Sequence, residues 1–330
     1  AIAFIWKELG TTCMHLDETH LIIQLYRSLI EQIAPGVAII TETNVPHEEN
    51  ISYFGNGRNE AKMVYNFTLP PLILHALHNN DVASLTRWAK TLKLPSRECC
   101  FFNFTASHDG VGVRPLQGIV SDDDVQALAD VARAHGGFVS MRDNGDGTQS
   151  PYEINCNYLD FVTSPDSSLD DRVQRFLLTQ SVMLAMPGVP GIYYHSLFGS
   201  ENDRQAALDS GINRRINRAK LDASTLSAEL DEPSTLRAKV FERYTQMLNV
   251  RRKEPLFDPF GNASYDHQGD VFLVRRDRNH EGDESDLLLL HNFCDESVVV
   301  HSVGNRVDLL SGERVTGECT LGPFEFRWLK

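Results

Sequence analysis

Long apolar runs are missing from this sequence: none exceeds a handful of residues, against the roughly 20 that a membrane-spanning helix needs. Cysteine spacing of the metal-binding kind is missing too. Cys13, Cys99, Cys100, Cys156, Cys294 and Cys319 form no CxxC pair, which argues against a zinc site and against a disulfide framework. Scattered single cysteines in a chain this long read as small buried hydrophobes in a reducing compartment, so a cytoplasmic setting is expected. Positive charge is scarce, with 31 Lys and Arg against 45 Asp and Glu, a net charge of −14. That sign argues against nucleic acid or an anionic membrane as the main partner and leaves small molecules. The N-terminus has no charged-then-apolar leader. It also has no initiator Met and opens on Ala1-Ile2-Ala3-Phe4, as a processed chain or a piece of a longer one would.

What is present is an ordinary globular composition, 42% apolar and 23% charged over 330 residues, enough for one large domain or two ordinary ones. Leu21, Leu25, Leu29 and Ile33 fall on one helical stripe that Pro35-Gly36 closes. Val37-Ala38-Ile39-Ile40 reads as a strand buried on both faces, as parallel strands are. Met63 to Phe67 reads as the next strand, Pro70 to His78 as a helix continued by Val82 to Leu92, and Cys99 to Phe104 as a third strand. Ser121 opens a helix with Asp122 to Asp124 in its first turn. Leu169 to Met186 is a long apolar helix, and Gly191-Ile192-Tyr193-Tyr194 a fourth strand. This alternation implies parallel strands with helices outside, either an α/β barrel or a doubly wound sheet. Four strands alone cannot close a barrel.

Between Gly136 and Asn155, alternating residues flank Asn144-Gly145 and Asp146-Gly147, the signal of a β-hairpin. The acidic tip faintly resembles a calcium loop, but Gly145 stands where a third ligand belongs and no Glu closes it twelve residues on. It reads as a turn; no metal and no cofactor are expected. From about Pro255 the pattern changes to short strands over Val271 to Val274, Asp286 to Leu290, Val298 to Val303, Val307 to Leu310 and Phe324 to Leu329. Arg276 to Ser285 reads as a polar loop. This predicts a separate antiparallel β domain.

In parallel α/β folds the reactive side chains stand just past the C-terminal ends of strands. Strand Val37 to Ile40 runs into Thr41-Glu42-Thr43-Asn44, and strand Cys99 to Phe104 into Thr105-Ala106-Ser107-His108-Asp109-Gly110. Singly, Glu42 reads as a surface or capping acid and Asp109 as a turn residue. Two carboxylates on neighbouring strand ends are what glycoside chemistry requires: one to protonate a leaving oxygen, one to stabilise a cationic sugar.

These two runs and Gly188-Val189-Pro190-Gly191-Ile192-Tyr193-Tyr194 resemble the signature regions of the α-amylase superfamily of glycosidases and transglycosidases. Trp6 to Cys13, Tyr65 to Leu72 and Arg214-Arg215-Ile216-Asn217-Arg218 are similar to its sucrose-phosphorylase branch, and Thr41 to Gly55 to the glucosylglycerate-phosphorylase subgroup. The resemblance covers essentially the whole chain. It implies the C-terminal part of a (β/α)8 barrel over residues 1–252 (strands five to eight), with a small antiparallel β-sandwich over 253–330. It implies Glu42 as general acid/base, Asp109 as transition-state stabiliser, and His108 and Arg214 as holders of the glucose. Asn44, Tyr152 and Glu153 would contribute to substrate binding. Tyr152 could equally pack beside Pro151, and Arg214 with Arg215 could be a solvated basic pair. The family's nucleophile is an Asp immediately followed by Ala, so the resemblance places it just before Ala1; Asp17 sits on the approach to a helix. The implied reaction is transfer of glucose from an α-glucoside to inorganic phosphate, giving α-glucose 1-phosphate, with Arg114 and Arg142 as candidate phosphate clamps. A hydrolase or transglucosidase of the same superfamily, or a non-catalytic carbohydrate-binding fragment, are the alternatives.

Overall fold

A computed structural model describes residues 2–164, 166–277 and 285–330. Strands β1 (Ile40–Thr41), β2 (Met63–Tyr65), β3 (Cys100–Asn103) and β7 (Val189–Pro190) form a parallel sheet in that order. The register places Ile40 opposite Met63, Tyr65 opposite Phe102 and Asn103 opposite Pro190. Helix α1 (Asp17–Ile33) precedes β1; α2 (Leu69–Asn79) and α3 (Ala83–Ala89) link β2 to β3; α4 (Asp122–Ala134) and α5 (Leu169–Ala185) lie between β3 and β7. The sheet order equals the chain order, without the reversal that a doubly wound sheet has. Ser121 caps α4 in a full capping box with Asp124.

Several boundaries differ from the sequence reading. The expected strand from Val37 begins only at Ile40, and it is not buried on both faces. Val37 is 50% and Ile40 41% exposed, because β1 is a sheet edge with β2 as its one neighbour. The expected helix through Leu92 is two helices, broken where Asn80 takes a left-handed φ of 48°. The strand expected over Gly191 to Tyr194 sits at Val189–Pro190. Gly191 gives the sheet a last bond, its N–H to the carbonyl of Asn103 (2.6 Å), and Tyr194 then starts a short helix. The apolar stripe of α1 is exposed rather than packed: the helix buries Thr19, Ile23 and Arg27 instead.

The hairpin forms as expected, β5 (Phe138–Asp143) against β6 (Gln149–Asn155), and β6 also pairs with β4 (Val111–Gly112). Beyond helix α6 (Leu236–Lys253), the chain builds an antiparallel sheet in the order β13-β10-β9-β8, from β8 (Asn262–Gln268), β9 (Val271–Asp277), β10 (Asp286–Asn292) and β13 (Phe326–Leu329). A separate ribbon joins β11 (Val298–Val307) to β12 (Arg314–Leu321). Strands β8 and β12 have too few apolar residues to be seen in the sequence. The two strands expected from Val298 to Val303 and from Val307 are one, kinked by an irregularity between His301 and Gly304, and Leu309-Leu310 lie beyond its end. In the expected polar loop, Arg276 and Asp277 belong to β9, and 278–284 lie outside the described residues.

Helix α5 is the centre of the core. Phe176 to Ala185 are buried without interruption, packed against α6 on one side and β10 on another. A polar chain locks this junction: Trp328 Nε1 donates to Ser181 Oγ (2.8 Å), which lies 3.0 Å from His291 Nε2, all three side chains being buried. Arg276, fully buried, donates to the carbonyls of Ala185 (3.0 Å), Asp258 (2.6 Å) and Asn262 (3.2 Å). Its charge is thus solvated by backbone dipoles rather than by an acid.

Candidate active site

Thr41, Glu42 and Thr43 continue the alternation of β1, so the two threonines are buried while Glu42 points outward at the sheet's C-terminal rim. The next strand over ends in Tyr65, whose hydroxyl is pushed up by burial and then by the charge of Glu42. Tyr65 packs against Phe102 and Phe104 (ring centroids 4.6 and 5.3 Å apart), giving the acid an aromatic neighbour. Asn44 closes the run against the α-carbon of Gly112, where any side chain would collide with its amide.

Two strands further along the same rim, β3 runs out into the His108-Asp109-Gly110 turn. Oδ1 of Asp109 accepts from Arg214 Nη1 (2.9 Å) and Arg218 Nη2 (3.0 Å), and Oδ2 has no partner among the described residues. Arg214 also makes a bidentate pair with the buried Glu153, Nε to Oε1 at 3.0 Å and Nη2 to Oε2 at 2.6 Å. Two acids and two guanidinium groups therefore form one alternating chain, Glu153–Arg214–Asp109–Arg218. Its fork geometry fixes the orientation of each member better than single contacts would.

Backbone packing explains the convergence. Gly110 lies so close to Ile154, Glu153 and Asn155 that a side chain there would strike them. The turn therefore rests flush on β6 and meets Glu153. The segment Asn213–Asn217 wraps the same turn from outside. Asn217 Nδ2 donates to the Asp109 carbonyl (3.2 Å), Arg218 Nε to that of His108 (2.6 Å), and Tyr193 OH to that of Asn217 (2.7 Å). Burial pushes the Tyr193 hydroxyl up to about 12, so it remains a donor at neutral pH.

Of the residues expected from sequence, Asp109, Glu153 and Arg214 are brought into direct contact. His108 is largely exposed, its Nε2 3.5 Å from Asp109 Oδ1. Glu153 faces Arg214, not open solvent, and so acts here as the group that holds the arginine. Tyr152 is half-buried beside it, and its carbonyl accepts from the Val113 N–H (3.1 Å). Among the described residues Arg142 reaches only Asn144, on its own exposed hairpin tip (3.4 Å). Arg114, on the turn after β4, makes no ion pair among the described residues. Sequence reasoning missed Arg218, Asn217 and Tyr193 as site members. The run Arg214-Arg215-Ile216-Asn217-Arg218 carried the signal, but only for Arg214. A cavity of about 340 Å³ lined by Arg97, Phe101, Pro187 and Tyr265 lies at the opposite, N-terminal ends of the strands and contains none of these residues. Among the described residues no His, Cys, Asp and Glu cluster fits a metal, and no helix is long and apolar enough to cross a membrane.

No family model matches the chain. It is 42% identical over 333 residues to a glucosylglycerate phosphorylase of Escherichia coli (strain K12), covering 100% of this chain and 59% of the relative. Identity to a glucosylglycerate phosphorylase of Allomeiothermus silvanus is 40% over 331 residues, covering 100% and 58%. A sucrose phosphorylase of Bifidobacterium adolescentis is 27% identical over 284 residues, covering 83% and 51%. The chain thus spans somewhat over half the length of the curated relatives it matches. Among solved structures it superposes on sucrose 6F-phosphate phosphorylase from Thermoanaerobacter thermosaccharolyticum with a TM-score of 0.75, at 19% identity, over 97% of this chain and 59% of that one. It superposes on an α-amylase from H. orenii with a TM-score of 0.61, at 14% identity, over 95% and 57%. The fold is therefore the α/β fold of those proteins, with a parallel sheet and several antiparallel strands.

Proposed function

The chain is a homologue of the glucosylglycerate phosphorylases, related more distantly to the sucrose phosphorylases, and we propose that it carries the acid/base side of a retaining α-glucosyl phosphorylase. The supporting observation is the shared rim: Glu42 and Asp109 both follow the C-terminal ends of strands in one parallel sheet, with only β2 between. On this reading Glu42 protonates the departing oxygen of an α-glucoside and then, as base, deprotonates the incoming phosphate. Asp109, with one oxygen held by two arginines and the other unengaged, takes the sugar hydroxyls as positive charge develops on the ring. Arg214 and His108 border that place, and Asn44 and Tyr152 shape the neighbouring one. Attack on the anomeric carbon takes a further carboxylate, which the resemblance puts immediately before Ala1.

The same reading extends to the fold. Parallel strands in chain order, each crossover advancing the same way, suit consecutive strands of a (β/α)8 barrel. Residues 1–252 then form the C-terminal part of that barrel and 253–330 an antiparallel β-sandwich packed on α5.

The test is release of glucose 1-phosphate by the full encoded protein, given a glucosylglycerate or sucrose with inorganic phosphate. Glu42→Gln is expected to lower the rate at least 100-fold. Glucose release at an equal rate without phosphate would instead make the protein a hydrolase and sink this reading.

A further inference from the structure

Paired residues of neighbouring parallel strands share a face of the sheet, on strands about 4.8 Å apart. Thr41 of β1 pairs with Val64 of β2. Both are buried, Val64 in one core with Ile23 of α1. One residue further along the same register, Glu42 stands beside Tyr65 on the opposite face. The row continues across the sheet, since Tyr65 pairs with Phe102 of β3 and Phe102 with Val189 of β7.

The ring of Tyr65 is fixed. Its centroid lies 4.6 Å from that of Phe102, 5.3 Å from Phe104 and 5.7 Å from Phe67. Phe102 is itself confined by Gly191, where a Cβ would come within 2.3 Å of its ring. Phenylalanine offers the same ring, so what tyrosine adds here is a hydroxyl, and that hydroxyl has no hydrogen-bond partner among the described residues. The three surrounding rings are uncharged. Burial and then the charge of Glu42 act on the hydroxyl, and both keep its proton in place. Glu42 likewise has no hydrogen bond or ion pair among the described residues, whereas Asp109 is oriented by two arginines. A neutral donor on a rigid ring therefore stands next to a carboxyl group that nothing else orients.

We propose that Tyr65 is the positioning residue of Glu42, its hydroxyl donating to the carboxylate as that carboxylate forms. This rests on the acid/base reading of Glu42 above. When the bond from the anomeric carbon to the departing oxygen breaks, its electron pair goes to that oxygen, which takes the proton of Glu42. Negative charge then appears on Glu42, and a hydrogen bond to an ion is stronger than one to the neutral acid. Tyr65 keeps its own proton. Its bond strengthens as the charge develops, so it lowers the barrier more than it tightens the bound ground state.

The experiment compares wild type, Tyr65→Phe, Glu42→Gln and the double variant of the full encoded protein on two donors. One is a glucosylglycerate; the other is α-glucosyl fluoride, whose leaving group departs without a proton. Tyr65→Phe is expected to lower kcat on the glucosylglycerate about tenfold, the size of one charge-assisted hydrogen bond, with KM little changed. The alkaline limb of its pH–rate profile should move to higher pH, because the acid releases its proton less readily without the donor. Fluoride release should stay within about twofold of wild type, and Tyr65→Phe should cost nothing further in the Glu42→Gln background. A merely structural role would depress both donors alike and add to the Glu42→Gln loss. Either of those results, or an unmoved alkaline limb, overturns the proposal. If Glu42→Gln fails while Tyr65→Phe is unimpaired on the glucosylglycerate, only the role of Tyr65 is refuted; if Glu42→Gln releases glucose 1-phosphate normally, the acid/base reading falls and this proposal with it.

Discussion

Helices α1 and α5 have seventeen residues each, and both display an apolar stripe. In α5 that stripe and the opposite face are enclosed by α6 and the C-terminal sheet. In α1, Leu21, Leu25, Leu29 and Ile33 are between 45% and 81% exposed, and with Val37 and Ile40 they make the β1 edge of the molecule an apolar surface. Nothing intrinsic to the two helices separates these outcomes. Periodicity creates a face that is favourable to cover, and the neighbouring elements decide whether it is covered.

The comparison can be tested with the same substitution on both helices. Leu177→Ala in α5 should cost about 2–5 kcal/mol by urea unfolding, because the cavity opens in a core that cannot collapse. A smaller cost would mean that α5 is less tightly enclosed than it looks.

Acid should distinguish the two regions next. His291, at the α5 junction, is held neutral by burial, its pKa lowered to about 4. The unfolded chain takes up that proton near pH 6.5, so stability falls as pH drops from about 6.5 towards 4, by up to roughly 3 kcal/mol. His20 on α1 has the opposite sign. Its bond to Glu60 raises its pKa, so its smaller contribution is complete below the unfolded value and disappears as pH rises through the folded one. Denaturation midpoints across pH 4–8 for His291→Gln and His20→Gln should diverge from wild type at opposite ends; parallel curves would contradict this.

The smallest effect belongs to Leu25→Ala in α1, within about 0.5 kcal/mol of wild type. A loss comparable to that at Leu177 would mean that the α1 stripe is packed after all.

The sequence made some of this readable and hid the rest for physical reasons. The hairpin, the Ser121 cap and the long helix α5 were visible because each rests on local chemistry within a few residues. Glu42 and Asp109 stood out because an acid at the end of an apolar strand is unusual wherever the strand goes. By contrast, the Arg214–Glu153 fork joins residues 61 apart in the chain, and no periodicity encodes a contact that long. The exposure of α1 escaped for the same reason. Its pattern specified a surface but not what stands opposite, and the brevity of β1 and β7 reflects neighbours that run lengths do not describe. The seat of Asn44 on Gly112 likewise joins two loops that are far apart in the chain.

The β5–β6 hairpin is nailed down at one end and free at the other. At its foot, a single methyl group added to Gly110 would prise the Asp109 turn away from Glu153. At its tip, Asn144 to Thr148 bond mainly to one another and to the strand residues beside them. Lengthening there costs little more than loop closure, well under 1 kcal/mol per doubling. Insertions are therefore expected to be tolerated at that tip and not at the foot.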